Sequence, residues 1–548
     1  AQRLPVVVFQ VGMLAFFPMI LPQLMPSPPP LQNAPETEIV SAGLMRYSYR
    51  DFDTRLKTLA SGLAKHGIGQ GDVVAVMDWD SHRYFECFFA VPMLGAVLHT
   101  VNIRLAPAQI AYTIDHAEDD VILVHADFLP LMEEVMPLVK RDVRLILHRD
   151  DLAQAPDCSF DFVSSYDAMM ADPTTDFEFP DFDEGTRATT FYTTGTTGEP
   201  KAVAYSHRQL VLHTMGLLAG LGPIETSNRL HGGDVYMPIT PMFHVHAWGF
   251  PYAATLLGIK QVYAGRYTPA NLLRLIAEEG VTFSHCVPTI LQMLLSAPEA
   301  ADTDLSKLKM LIGGSALPRG LAEAALARGI NVYTGYGMSE TCPVLTISVL
   351  DPEDEAAVGP RLKTGNPIPM VDLQTVGEGM KEMPRDGAST GEVVARAPWL
   401  NAEYVKNPEA TEALWEGDYL HTGDVGHIDR NGTLMITDRM KDVIKSGGEW
   451  VSSLELESLA SAVEGVAEVA AIGIQDEKWG ERPVLLIVVQ DGADEEAIKS
   501  SIAAVAKEAV EAGSLSKWAV PDQFRFVAEI AKTSVGKIDK KRLRAEFE

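Results

Sequence analysis

The segment FYTTGTTGEPKAVAYSHRQ, from Phe191 to Gln209, places two glycines, four threonines and a lysine between an apolar run and a helix start. Gly195 and Gly198 let successive backbone N–H groups turn inward, Thr193, Thr194, Thr196 and Thr197 add hydroxyl donors, and Lys201 adds a positive charge. Such a loop suits a polyphosphate. It is not a Walker loop, which needs Gly immediately before its lysine and Ser or Thr after it; here Pro200 and Ala202 hold those places. Simple kinase and ATPase readings weaken accordingly. Beyond the loop, Ser206 and Gln209 have the spacing of a capping box and mark the start of the next helix.

The elements that must position this loop alternate. Tyr49 to His66 and Arg83 to Leu94 have helical spacing, whereas Val73 to Met77, Val121 to His125 and Val143 to Leu147 read as short buried strands. The alternation predicts a parallel sheet with covering helices, hence an α/β fold class. Asp172 to Glu184 crowds acidic residues into what reads as a solvated loop. After Gly391 the texture changes to short strands and turns, with a hairpin signal at Arg430-Asn431-Gly432, so a small β subdomain is expected there. The last hundred or so residues carry a pattern of their own: helix at Leu454 to Ala462, strands at Val469 to Ile474 and Val484 to Val489, helix at Glu495 to Ala512. The expected organisation is an apolar arm and Pro-rich linker over 1–33, a large N-terminal domain over 34–438, a boundary at 439–442 and a small α+β domain over 443–548.

Composition narrows the partners. With 45 Lys+Arg against 74 Asp+Glu the formal charge is −29, which repels nucleic acid and anionic lipid heads over most of the surface. The four cysteines, Cys87, Cys158, Cys286 and Cys342, are far apart and form neither a disulfide framework nor a cysteine zinc site, so a reducing, cytoplasmic setting is expected. Leu4 to Met25 is almost wholly apolar, yet Pro5, Pro18 and Pro22 interrupt it, which argues against a membrane anchor. An arm packed on its own domain or on a second subunit is the expected reading.

Further motifs extend the loop's chemistry. TGYGMSET (Thr334 to Thr341), YLHTGD (Tyr419 to Asp424), DRMKD (Asp438 to Asp442) and TSVGK (Thr533 to Lys537) follow it in that order. Together with YTTGTTGEPK they resemble the adenylate-forming superfamily of acyl-CoA synthetases, luciferases and peptide-synthetase adenylation domains, over a span from about Glu36 to the C-terminus. The segments HVHAW, SGGEWVSS and TGNPIPM are similar to those of medium- or long-chain fatty-acyl-CoA ligases and methylmercaptopropionate-CoA ligases.

The resemblance implies a large ATP- and acyl-binding domain with a mobile C-terminal domain, and activation of a fatty or similar aliphatic acid to acyl-AMP followed by transfer to coenzyme A. It implies ATP, Mg2+ and coenzyme A as cofactors, a small-molecule carboxylic acid as substrate and a homodimer contact through the N-terminal region. By the same resemblance Lys537, Lys201 and Glu340 are the candidate catalytic residues, with Thr193 and Glu340 placing magnesium. The nucleotide would meet Thr193 to Gly198, Gly314, Gly335, Tyr336, Gly337, Ser339, Asp424, Arg439, Lys441 and Lys445. Tyr336 would stack on adenine, while Asp424 and Arg439 would bind ribose. His244, Trp248 and Met338 would line the acyl pocket, Gly447 and Gly448 would meet coenzyme A, and Lys441 would be the hinge pivot.

The chemistry accounts for these residue types: a carboxylate must attack the α-phosphate of ATP, so two anions meet and pyrophosphate leaves, and cations and donors must surround them. Pro241 to Gly258, where the resemblance places the acyl pocket, is apolar and aromatic and contains no Lys or Arg, which favours aliphatic acids. Two departures stand out: Ala202 where Gly usually follows the loop lysine, and Glu403 where Gly is common before the tyrosine at 404. Neither removes a group with chemistry. Transfer to a carrier-protein thiol is the alternative second step, and a nucleotide-binding regulator without catalysis the alternative from another class.

Overall fold

The computed structural model describes residues 29–151, 158–193, 199–446, 449–490, 492–511, 515–521, 523–533 and 537–547. The apolar arm, Thr194 to Gly198, and Gly447 with Gly448 therefore lie outside the described residues. Among those described, two large sheets, a smaller sheet and a C-terminal sheet make up the chain. This is the mixed α/β architecture, with a large N-terminal domain of sheets and a smaller C-terminal one.

The first large sheet runs Ser164–Ser165, Arg144–His148, Val121–His125, Val73–Met77, Val97–Thr100, Arg187–Thr193, Lys201–Ser206. All neighbours are parallel except the last pair, where Thr193 lies opposite Lys201. The second carries the parallel strands Lys260–Tyr263, Val235–Pro238, Phe283–Cys286, Lys309–Ile312 and Asn331–Gly337, closed by antiparallel Val344–Ile347. Their β-branched and apolar residues are buried on both faces, which is why they read as continuous hydrophobic runs.

Between the sheets lies the helix His82–Met93, all of whose residues are buried, including the stacked and edge-on rings of Phe85, Phe88 and Phe89. Ser81 caps it, accepting from the amide of Tyr84. In a parallel sheet ligands collect outside the carboxyl ends of the strands. Those ends deliver Thr193 from one sheet, and Val287, Gly313 and Met338 from the other.

The smaller sheet pairs Asp372–Val376, Gly391–Arg396, Tyr419–Ile428 and Leu434–Arg439 antiparallel, with the expected turn at Asn431-Gly432. The C-terminal sheet is built on the long hairpin Val466–Asp476 and Gly480–Val489. These strands run further than the hydrophobic pattern predicts, because backbone pairing continues past polar Glu481 and Arg482 to the turn at Gly480. None of the described helices is long and apolar enough to cross a membrane. All four cysteines are free, three of them buried.

Candidate nucleotide and acyl site

The ribose-side residues meet on the smaller sheet. Strand Tyr419–Ile428 delivers Asp424, and its antiparallel partner Leu434–Arg439 sets Arg439 directly opposite. Arg439 Nε lies 3.3 Å from Asp424 Oδ1. The hydroxyl of Tyr336, from the end of Asn331–Gly337, donates to Asp424 Oδ2 at 2.7 Å. Three expected nucleotide residues from three strands are thus already connected. The strand that carries Tyr336 must be thin: a Cβ on Gly337 would lie 1.7 Å from the Pro343 carbonyl oxygen, so only hydrogen fits.

Glu340 follows in a short turn and is buried. Burial pushes its carboxyl up, opposed by a hydrogen bond from Tyr404 and by Lys201 and Lys537. Tyr404 Oη donates to Glu340 Oε1 at 2.5 Å, and the ammonium of Lys201 sits over the Tyr404 ring, 4.8 Å from its centroid. Ser339 contributes its carbonyl, which accepts from Tyr205 at 2.6 Å. Thr193, half-buried, and Lys201 face each other across the strand pair, holding together the two ends of the threonine-rich loop.

Lys537 reaches this assembly from the C-terminal domain. Its aliphatic stem lies against Gly314, where a Cβ would come within 3.1 Å of Cε and 3.7 Å of Nζ. Gly314 has φ +80°, a left-handed conformation that L side chains rarely take, so both space and backbone call for glycine. Burial, with Arg439 and Lys441 beside it, lowers the ammonium to about 8 against the opposing pull of Asp424 and Glu340. Lys441 lies exposed in the turn that joins the smaller sheet to the C-terminal sheet. Lys445 is exposed on the small-domain strand Ile444–Ser446, its amide donating to Glu481.

The acyl-side residues lie on an unusual backbone. Val245, His246, Ala247 and Trp248 have φ of 48°, 52°, 48° and 60°, followed by Gly249 at 74°: a left-handed turn of four non-glycine residues, not a right-handed helix. Each costs about 1–2 kcal/mol. The turn is held by packing: Trp248 stacks on His285 at 4.9 Å and fills the space a side chain at Gly313 would take. His285 is in turn fixed by Tyr236 at 2.8 Å and Thr240 at 3.0 Å. His244 precedes the turn; burial, then Lys537 and Arg104, push its imidazole down to about 3, so it stays neutral. Arg104 also lies over Phe243 at 5.8 Å, bringing a cation to a segment without one of its own. Met338 packs half-buried against the same core.

Sequence reasoning missed Tyr404 and Arg104, whose contacts join positions far apart in the chain. It also missed a buried cluster of Asp78, His125 and His148 at the ends of three adjacent strands. There Arg83 supplies the positive charge, 3.5 Å from Asp78 and 2.6 Å from Asp150.

Residues 31–405 match the model of the AMP-binding enzyme family and residues 455–537 that of the AMP-binding enzyme C-terminal domain. The chain belongs to this family. It is 39% identical to a long-chain-fatty-acid–CoA ligase of Thermus thermophilus, across 92% of this chain and 90% of that one. It is 36% identical to a medium-chain-fatty-acid–CoA ligase of Ectopseudomonas oleovorans, across 92% of each. Among solved structures its fold matches an anthranilate CoA ligase, AuaEII, captured with anthranoyl-AMP: TM-score 0.82, 23% identity, 97% of both chains covered.

Proposed function

We propose that the protein is an AMP-forming acid–thiol ligase that activates a fatty or similar aliphatic carboxylic acid with ATP and passes the acyl group to coenzyme A. In the first step an acid oxygen bonds to the α-phosphorus of ATP and the bond to the β-phosphate oxygen breaks, giving acyl-AMP and pyrophosphate. In the second a thiol sulfur bonds to the acyl carbon, and AMP leaves with the carbonyl–oxygen bond broken. The observation that carries this reading is Lys537: an ammonium from the C-terminal domain lies against Gly314 and is electrostatically coupled to both Asp424 and Glu340.

The residues divide the work. Asp424 accepts from ribose hydroxyls, with Arg439 and Tyr336 holding its two oxygens. Lys537 and Lys201 offset the charge that two anions bring together. Thr193 and Glu340 form an oxygen donor set of the kind magnesium prefers, and a buried carboxylate held by a neutral hydroxyl fits a cation. Magnesium, when bound, neutralises phosphate charge. Neutral His244 would donate to the substrate carboxylate, with the Trp248–His285 stack on the turn that follows it.

For the second step the small domain turns about Lys441 to bring the Gly447-Gly448 segment toward the pantetheine arm. Homodimer contact through the N-terminal region and a cytoplasmic setting belong to the same reading; dispersed free cysteines support the latter.

The test is AMP release across acids of two to eighteen carbons, with and without coenzyme A. AMP and acyl-CoA in equal amounts support the reading. Pyrophosphate exchange without a coenzyme A product would redirect the second step to a carrier-protein thiol, and no exchange with any acid would leave a nucleotide-binding regulator.

A further inference from the structure

The two groups placed at the phosphate end, Glu340 and Lys201, share one neighbour. Tyr404 donates its hydroxyl to Glu340 Oε1 at 2.5 Å while its ring lies 4.8 Å from the Lys201 ammonium. It sits on a segment braced from several sides. Gln209 Nε2 donates to the Leu400 carbonyl at 2.7 Å, the Asn401 amide donates to the Glu340 carbonyl at 2.9 Å, and the Val405 amide donates to the Ala202 carbonyl at 3.1 Å. Tyr404 itself bridges to Val203 in the strand that leaves the threonine-rich loop, and the wholly buried Trp399 anchors the segment's start.

We propose that Tyr404 is a positioning residue for the adenylation step: its hydroxyl orients the Glu340 carboxylate toward a divalent cation, and its ring sets the position of Lys201. The proposal rests on the reading of Glu340 and Lys201 as the groups that meet the metal–triphosphate. The hydroxyl engages Oε1 and so limits the rotation of the carboxylate. A neutral donor suits this task, since a lysine or arginine in its place would repel the incoming ion, whereas a leucine would leave the carboxylate free to rotate. The ring face attracts an ammonium without neutralising it, so Lys201 keeps its full charge for phosphate. One side chain thereby fixes the spacing between an anion that takes the metal and a cation that takes the phosphate.

The experiment uses the full chain and four variants: Tyr404→Phe, Tyr404→Leu, Glu340→Gln and the double variant that combines Y404F with E340Q. Mn2+ binding to the complex with α,β-methylene-ATP is read by electron paramagnetic resonance, alongside pyrophosphate exchange as a function of Mg2+. In Y404F, which keeps the ring, Mn2+ affinity should fall about tenfold, near the low end for a hydrogen bond to a charged group. Exchange should recover at saturating Mg2+, with KM for the acid unchanged. Y404L should show the same metal defect and a raised KM for ATP as well. In the E340Q background the Y404F change should add nothing, because its route is gone.

Wild-type Mn2+ affinity in Y404F, with E340Q impaired, overturns the positioning role alone. A defect in Y404F that persists undiminished in E340Q also overturns it, since Tyr404 would then act by another path. If E340Q itself binds Mn2+ and exchanges pyrophosphate like wild type, the assignment of Glu340 falls and the Tyr404 proposal with it.

Discussion

The proposed ribose and phosphate corners of the site are built differently. At the ribose corner Asp424 receives Tyr336 at 2.7 Å and Arg439 at 3.3 Å, from strands that precede the inter-domain turn. Tyr336 and Asp424 lie within sheet strands, while Arg439 ends the last strand before the turn at 440–442. At the phosphate corner Glu340, Tyr404 and Lys201 come from the large domain, but Lys537 comes from beyond the turn and is held against Gly314 by domain placement. On the proposed function the difference implies a division of labour: nucleotide affinity would reside in the first corner, and charge stabilisation during acyl-phosphate bond formation in the corner whose cation the C-terminal domain supplies.

The sharpest way to break the comparison is to remove that cation. Lys537→Ala should lower adenylation by about 10²–10³, the range for removing one preorganised donor at developing charge. Thioester formation from supplied acyl-adenylate should be spared. Stopped-flow measurement of both half-reactions checks this, and equal losses in the two would contradict the assignment. A smaller effect of opposite character is expected at the ribose corner. Asp424→Ala should weaken nucleotide binding by about tenfold to a hundredfold, as lost hydrogen bonds to a charged group do, in both half-reactions alike. Calorimetric titration with AMP, where no pyrophosphate is involved, should show the same loss.

Between these lies the turn itself. Proline at 441 fixes φ near −65° and so limits the swing. If the thioester-forming arrangement becomes ten times rarer, its rate falls by about the same factor. Lys441→Pro should therefore lower coenzyme A transfer by roughly tenfold with adenylation retained. A normal transfer rate would mean that the domain does not turn there.

Much of this frame was legible because it rests on local pattern. Val73–Met77 and Val121–His125 were read to the residue, since short β-branched runs bounded by polar residues leave little choice. The Ser206–Gln209 capping box was equally local. The left-handed turn at Val245 to Trp248 was not legible: His-Val-His-Ala-Trp contains no glycine or asparagine to announce positive φ, and tertiary packing on His285 imposes it. Tyr404 was hidden for another reason. Its partner Glu340 is 64 positions away, and no local periodicity encodes a hydrogen bond of that span.

The smallest expected effect comes from pH. Burial and the neighbouring cations bring Lys537 to about 8, so the ammonium is full at pH 6, half present near pH 8, and lost as pH rises further. The kcat/KM for ATP reports groups of the free enzyme. It should fall about twofold between pH 6 and pH 8 and then about tenfold per unit above that, from simple titration of one required proton. Tyr336 and Arg439 are both pushed above their ordinary values and keep their protons over this range, so binding of adenosine, which carries no titrating phosphate, should stay flat. Lys537→Arg separates the cause from other groups, because a guanidinium keeps its charge throughout. Its rate can be lower, but its profile should lose the limb near pH 8. A limb that stays in place in Lys537→Arg would assign the titration to another residue and leave the phosphate corner without its pH signature.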